Sequence, residues 1–117
     1  MTPRLFVYGT LAPGRSNAYV LASLAGTWER GSVLGTLHAE GWGAAAGYPG
    51  IVLDPGGTEV DGFLFTSPDL AAHWERLDAF EGPGYDRALT TVRRTSAGEV
   101  EAYIYVLSRA GLPPRAD

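Results

Sequence analysis

Leu70, Trp74, Leu77 and Glu81 recur at the spacing i, i+4, i+7, i+11. At 100° per residue they fall within about 60° of one another on a helix, one narrow stripe. Three are apolar, so this is the face such a helix buries, and Glu81 ends it with a carboxylate. The position is also a helix C-terminus, where backbone carbonyls disfavour negative charge. Partial burial acts in the same direction, so the pKa of Glu81 should be raised. A carboxyl tuned that way can take and return a proton near neutral pH. The rival reading is a helix that frays before Glu81, leaving the side chain in water beside Gly82. Glu75 and Asp78 lie off the stripe and read as solvated.

A second candidate follows the first apolar run. Gly9-Thr10-Leu11-Ala12-Pro13-Gly14-Arg15-Ser16 has the form G-x-x-x-x-G-R-S, one residue from a phosphate-binding P-loop. Three features argue against a nucleotide. Arg stands where Lys is needed, and the two differ at a phosphate. Pro13 lacks the N–H that a phosphate cradle would use. Phe63-Leu64-Phe65 runs into Thr66-Ser67-Pro68, with no Asp placed to hold Mg²⁺. A Gly-containing turn after a strand still exposes successive N–H groups, and these form an anion-sized nest. The plain alternative is an ordinary strand-to-helix turn.

The remaining polar candidates divide between site and scaffold. Tyr85 and Arg87 alternate on a strand and face one side. Arg87 could pair with Asp78, with Glu81 or with a substrate, and a fold-stabilising ion pair is the competing role. Tyr103 and Tyr105 share a face opposite Val100, Ala102, Ile104 and Val106, so at least one of the two packs. Asn17 is equally placed to cap a helix or to line a pocket. His38 and His73 have no metal-ligand companions. Trp28 and Trp74 read as packing, while Trp42 lies in a Gly-rich loop that could rim a pocket.

These residues need a frame to hold them. The chain has 117 residues, 45% of them hydrophobic, and reads as a single domain over 1–117 with its core at about 4–107. Cysteine is absent, which excludes disulfides and thiol nucleophiles. All nine basic residues are Arg, so Schiff-base chemistry is excluded too. They are scattered and the net charge is −4, which argues against nucleic acid as a partner. No 18-residue apolar run indicates a membrane span, and the N-terminus does not read as a signal peptide. A cytoplasmic location is the expectation, and the oligomeric state stays open.

Strands are expected at Leu5–Tyr8, around Val33–Leu37, at Ile51–Leu53, Glu59–Thr66, Tyr85–Arg94 and Glu99–Leu107. The last two are joined by a Thr95–Gly98 hairpin turn. Gly62 marks a bulge or a close approach. One helix should run from a Ser16 or Asn17 cap to about Ala25, stopped by Gly26. Ser67-Pro68-Asp69 is a strong start for a second, running to Phe80 or Glu81. Residues 40–50 form a loop, and 108–117 a tail. Two helices cannot cover both faces of six strands, so the sheet should close or curl. The expected class is α+β: a small mixed, mostly antiparallel, barrel-like sheet with flanking helices.

Taken together, Tyr8-Gly9-Thr10-Leu11 after a strand and Leu77-Asp78-Ala79-Phe80-Glu81-Gly82 before Tyr85-Asp86-Arg87 resemble the gamma-glutamylcyclotransferase family. The gamma-glutamylamine cyclotransferase-like branch is the nearer match. Gly14 and Asn17 fit its pattern, as do Val60–Phe65 and the strand ending at Tyr105. The resemblance covers residues 4 to about 107.

It implies a mixed barrel with flanking helices, no metal or organic cofactor, and Glu81 as catalytic acid/base. The loop Tyr8, Gly9, Thr10 and Leu11 would hold a γ-glutamyl group, largely through N–H groups. Tyr105, Arg87 and Asn17 are further candidates for substrate contact. The implied enzyme cyclises an L-γ-glutamyl amine to 5-oxoproline and frees the amine. A non-catalytic small-ligand-binding domain of the same fold is one alternative. A cyclotransferase dedicated to one biosynthetic intermediate is another. Only three residues separate Glu81 from Tyr85 and little chain follows Leu107, a short rim that should leave the leaving-group side open.

Overall fold

Alternation decides the architecture. In the computed structural model, which describes residues 2–8, 14, 19–38, 50–82 and 84–107, odd and even residues of the central strands enter two different cores. The elements are β1 (Arg4–Val7), α1 (Tyr19–Ala22), β2 (Thr27–His38), β3 (Gly50–Leu53) and β4 (Thr58–Thr66). A 3-10 turn (Pro68–Ala72), α2 (Trp74–Glu81), β5 (Tyr85–Arg94) and β6 (Glu99–Leu107) follow.

The six strands run in the order β3-β2-β4-β1-β6-β5. A further antiparallel pairing of Gly31 with Arg94 and Ser32 with Arg93 joins β2 to β5. That pairing closes β2, β4, β1, β6 and β5 into a five-strand barrel, with β3 added outside on β2. Among the described residues only β1 and β6 run parallel, in register through Leu5↔Tyr103 and Phe6↔Ile104. The mixed, mostly antiparallel barrel is therefore the arrangement expected from the sequence.

Phe6, Val33, Ile51, Val60, Leu64, Val92, Ala102 and Ile104 form one core, among side chains turned into the barrel. Leu5, Val7, Phe65 and Tyr105 turn the other way and meet Val20, Leu21 and Leu24 from the α1 region, with Leu70 and Leu77 from the second helical region. One period-2 pattern thus fills the barrel and seats the helices on its outside. Gly62 marks a close approach and not a bulge, because β2 and β4 stay in continuous register through Gly31↔Gly62. A Cβ there would run into the Val7 carbonyl and the Phe6 ring.

The second helix differs from the single helix expected. Ser67 caps as foreseen, with extended backbone and its hydroxyl accepting from the Asp69 N–H at 3.1 Å. The first turn winds as 3-10, closed by the His73 N–H to the Leu70 carbonyl at 2.9 Å, and regular α-helix begins at Trp74. The cause is anchoring. Ser67 is fully buried and its hydroxyl donates to the Ala25 carbonyl, while Asp69 accepts from the Ala25 N–H at 3.0 Å. These bonds tie the turn to the chain leaving α1 and tighten it. They also account for α1 stopping at Ala22: the chain must unwind there to reach Ser67. The expected Ser16 or Asn17 cap, residues 40–49 with Trp42, and residues 108–117 lie outside the described residues.

Candidate active site

Glu81 is the last residue of α2. Gly82 follows with φ +80°, a conformation side-chain-bearing residues seldom adopt, and its N–H caps the Asp78 carbonyl at 3.0 Å. The helix does not fray before Glu81. Below it Leu77 is fully buried against the barrel, so the stripe drawn from the sequence does face inward. The break at His73 means that Leu70 and Trp74 do not sit on one regular helix, yet Leu70 is buried as well. Glu81 itself is half-buried. Burial pushes its carboxyl up from 4.5 to about 7.

Three tyrosines surround this end of the helix. Tyr8 follows β1 and packs against the barrel core. Its hydroxyl donates to the Tyr105 carbonyl at 2.5 Å and accepts from the Ile51 N–H at 3.1 Å. Tyr8 therefore fastens β1 to β6 and β3. Burial raises its pKa, the Ile51 N–H opposes that, and the charges of Tyr85 and Glu81 add to the rise. Tyr105 is buried among the helix-facing residues, and its hydroxyl donates to Asp78 Oδ1 at 2.7 Å. Burial again raises its pKa first; the hydrogen bond to Asp78 and the charges of Asp78 and Glu81 reinforce it, against Arg87. Glu81 is thus close enough to act electrostatically on both Tyr8 and Tyr105. Tyr85, like Trp74 and Tyr103, packs against the core between barrel and helices.

Asp78 is exposed, in keeping with its reading as solvated, yet both oxygens of its carboxylate are also engaged by protein groups. Arg87 Nε lies 3.1 Å from Oδ1, with its N–H turned off that line, and Arg87 Nη2 donates to Oδ2 at 3.4 Å. The guanidinium rests over the Trp74 ring at 4.5 Å and the Tyr103 ring at 5.1 Å. Arg87 and Tyr105 are direct cross-strand partners, so β5 and β6 present both donors to one carboxylate. The sequence signal was available in Asp78 and Glu81 standing one turn apart, with a Tyr-x-Arg strand to follow.

Glu81, Tyr8, Tyr105 and Arg87 therefore come together about the last turn of α2. Gly9, Thr10, Leu11 and Asn17 lie outside the described residues. His73 turns Nδ1 toward the Asp69 carbonyl at 2.7 Å, and Trp28 packs on Phe65 with ring centroids 4.5 Å apart. Among the described residues no group of three or more His, Asp or Glu could hold a metal ion. Nor is any helix among them long and apolar enough to cross a membrane.

Fold and site together define an α+β domain on a closed five-strand barrel with a carboxyl tuned toward neutrality at a helix end. The chain belongs to the gamma-glutamyl cyclotransferase, AIG2-like family (GGACT), which it matches over residues 5–116. No curated protein matches the sequence. Among solved structures it is similar to YkqA from Bacillus subtilis, at 30% identity and a TM-score of 0.70 over 92% of this chain. The chain spans only 36% of YkqA's length. An AIG2-like protein from Mus musculus shares the fold at 24% identity and a TM-score of 0.71, with 96% of this chain and 80% of that one covered. A gamma-glutamyl cyclotransferase shares it at 20% identity and a TM-score of 0.57, covering 92% of this chain and 68% of that one.

Proposed function

We propose that the protein is a cyclotransferase acting on L-γ-glutamyl amines, with Glu81 as its general acid/base. One observation carries this reading: the half-buried carboxyl ending α2, held near neutrality beside Tyr8 and Tyr105. Family membership supports the reaction type.

The substrate's free α-amine attacks its own γ-carbonyl carbon. A C–N bond forms, a five-membered lactam closes, and the γ-C–N bond to the leaving amine breaks. The products are 5-oxoproline and the free amine, and water takes no part. Glu81, ionised, takes the proton from the attacking ammonium and returns it to the departing nitrogen. A carboxyl near 7 is half ionised at neutral pH, so it serves both transfers. Intramolecular attack needs little else once the chain is folded on itself. The backbone N–H groups of Gly9, Thr10 and Leu11 supply oxyanion or carboxylate donors, each worth about 10²–10³ in rate where it meets the developing charge. Asn17 and Tyr105 add polar contacts, and Arg87 meets the site through Asp78.

The test incubates wild type and Glu81→Gln with a panel of L-γ-glutamyl amines and γ-glutamyl dipeptides, with 5-oxoproline quantified by mass spectrometry. Product from wild type and none from the variant is the expected result, and the best panel member names the leaving group. A variant as active as wild type removes Glu81 from the mechanism. Inactivity of both, with a γ-glutamyl compound raising the melting temperature, would instead make the domain a binding module.

A further inference from the structure

We propose that Asp78 is a positioning residue for Glu81: by holding the Arg87 guanidinium and the Tyr105 hydroxyl, it pins the last turn of α2 to β5 and β6 and keeps the guanidinium off the Glu81 carboxylate. The role assigned to Glu81 rests on the function proposed above.

Asp78 and Glu81 stand at i and i+3 on α2, so their side chains are neighbours on one helix face. At that spacing Cβ atoms lie about 5–6 Å apart, so a guanidinium released from the first has the second as the neighbouring carboxylate on the helix. An Arg–Glu81 pair would favour the ionised carboxyl and return it to the ordinary carboxylate range or below. Among the described residues, Glu81 acts on Tyr8, which follows β1, and on Tyr105 from β6; Tyr85 from β5 also acts on Tyr8, and Arg87 from β5 and Asp78 from α2 also act on Tyr105. Arg87 is the one cation in that set, and every polar contact described for it goes to Asp78. The Trp74 and Tyr103 rings hold its flat face in the same place. A charge that would quench the acid/base is thereby neutralised one helical turn away. The Tyr105 hydroxyl bond fixes the height of that turn against β6.

The protein offers a readout independent of turnover. Glutamate labelled with ¹³C at the side-chain carboxyl reports each titration by NMR, and Glu81→Gln identifies the Glu81 signal. In wild type that signal titrates near 7. In Asp78→Asn, which keeps size and removes charge, Arg87 turns to Glu81 and the midpoint falls by about one pH unit or more. In the double variant Asp78→Asn/Arg87→Gln the midpoint returns to near the wild-type value. Where turnover is measurable, the acid limb of kcat/KM moves the same way, and kcat of Asp78→Asn falls about tenfold or more with KM little changed. A merely structural Asp78 would lower the melting temperature and leave the Glu81 midpoint in place; that result overturns the proposal. So does a double variant that fails to restore the midpoint.

Arg87→Gln alone keeps the experiment decisive if Asp78→Asn does not fold. The proposal expects the Glu81 midpoint to stay near 7 or rise, with KM little changed. A midpoint that falls, or a KM raised about tenfold or more, places Arg87 on Glu81 or on substrate and refutes the proposal. An inactive wild type whose midpoints shift as described would sink the cyclotransferase reading and leave the charge partition standing.

Discussion

Replacing Glu81 with Gln should stabilise the fold in a pH-dependent way. The carboxyl is raised from 4.5 to about 7 by burial. The folded state therefore binds the proton more tightly than the unfolded chain does. Protonated Glu81 is accommodated without cost below about pH 4.5, and stability is lost as pH rises through 4.5 toward 7. At 1.36 kcal/mol per pKa unit that interval amounts to about 3 kcal/mol. Glu81 keeps part of its surface in water, which screens it, so about half of this is the working figure. Gln has the same shape and no charge to bury. Between about pH 5 and about pH 8 the variant should therefore gain on wild type by about 1–2 kcal/mol, roughly 4–8 °C in Tm for a domain of this size. Thermal unfolding of both proteins across that range reads the difference directly. A gap that does not change with pH would refute the argument. So would a variant that loses ground as pH rises, because the Glu81 carboxylate would then be held by a favourable partner. The experiment also separates roles: a group retained for proton transfer at the expense of stability should behave this way.

Further outcomes follow from the same geometry. If Glu81 is the base, kcat/KM should rise with pH through about 7, and an acid limb near the ordinary carboxylate range would exclude it. Tyr8→Phe strands the Tyr105 carbonyl and the Ile51 N–H, so urea unfolding should show a loss of about 2 kcal/mol or more. A change near zero would mean that water replaces both bonds. Gly62→Ala pushes a methyl into the Val7 carbonyl and the Phe6 ring and should cost about 1–3 kcal/mol; an unchanged urea midpoint would show that β1 and β4 can part to admit it.

Period and punctuation made most of the frame legible. The alternation in Leu5–Tyr8 and in Val100–Leu107 separates barrel from helix faces without reference to anything distant. Closure was legible only as a necessity of two helices on six strands, because the β2–β5 pairing rests on a register between residues about sixty positions apart. The break at His73 was hidden for a related reason. Ser67-Pro68-Asp69 is a sound helix start locally, but the bonds from Ala25 that tighten it come from across the fold. At the site, Glu81 stood out because a carboxylate interrupts an apolar stripe. Asp78 did not, since a polar residue on a polar face looks solvated until the strands opposite supply Arg87 and Tyr105. Tyr8 read as part of a binding loop; that its hydroxyl also ties β1 to β6 and β3 depends on partners 43 and 97 residues away.

The parallel pairing of β1 with β6 also sets an order of events. Tyr8 and Tyr105 are joined across 97 residues, so the contact that completes the site is among the least local in the chain. Loop closure over such a span is slow relative to forming the β5–β6 hairpin, and folds rich in these contacts form late. While the chain is being made, β1 can pair with β4, but its other edge waits for β6 to emerge. Leu5, Phe6 and Val7 then present an open apolar strand edge, the kind that recruits other chains. Any nascent chain halted short of β6 carries Glu81 without the tyrosine that anchors its helix.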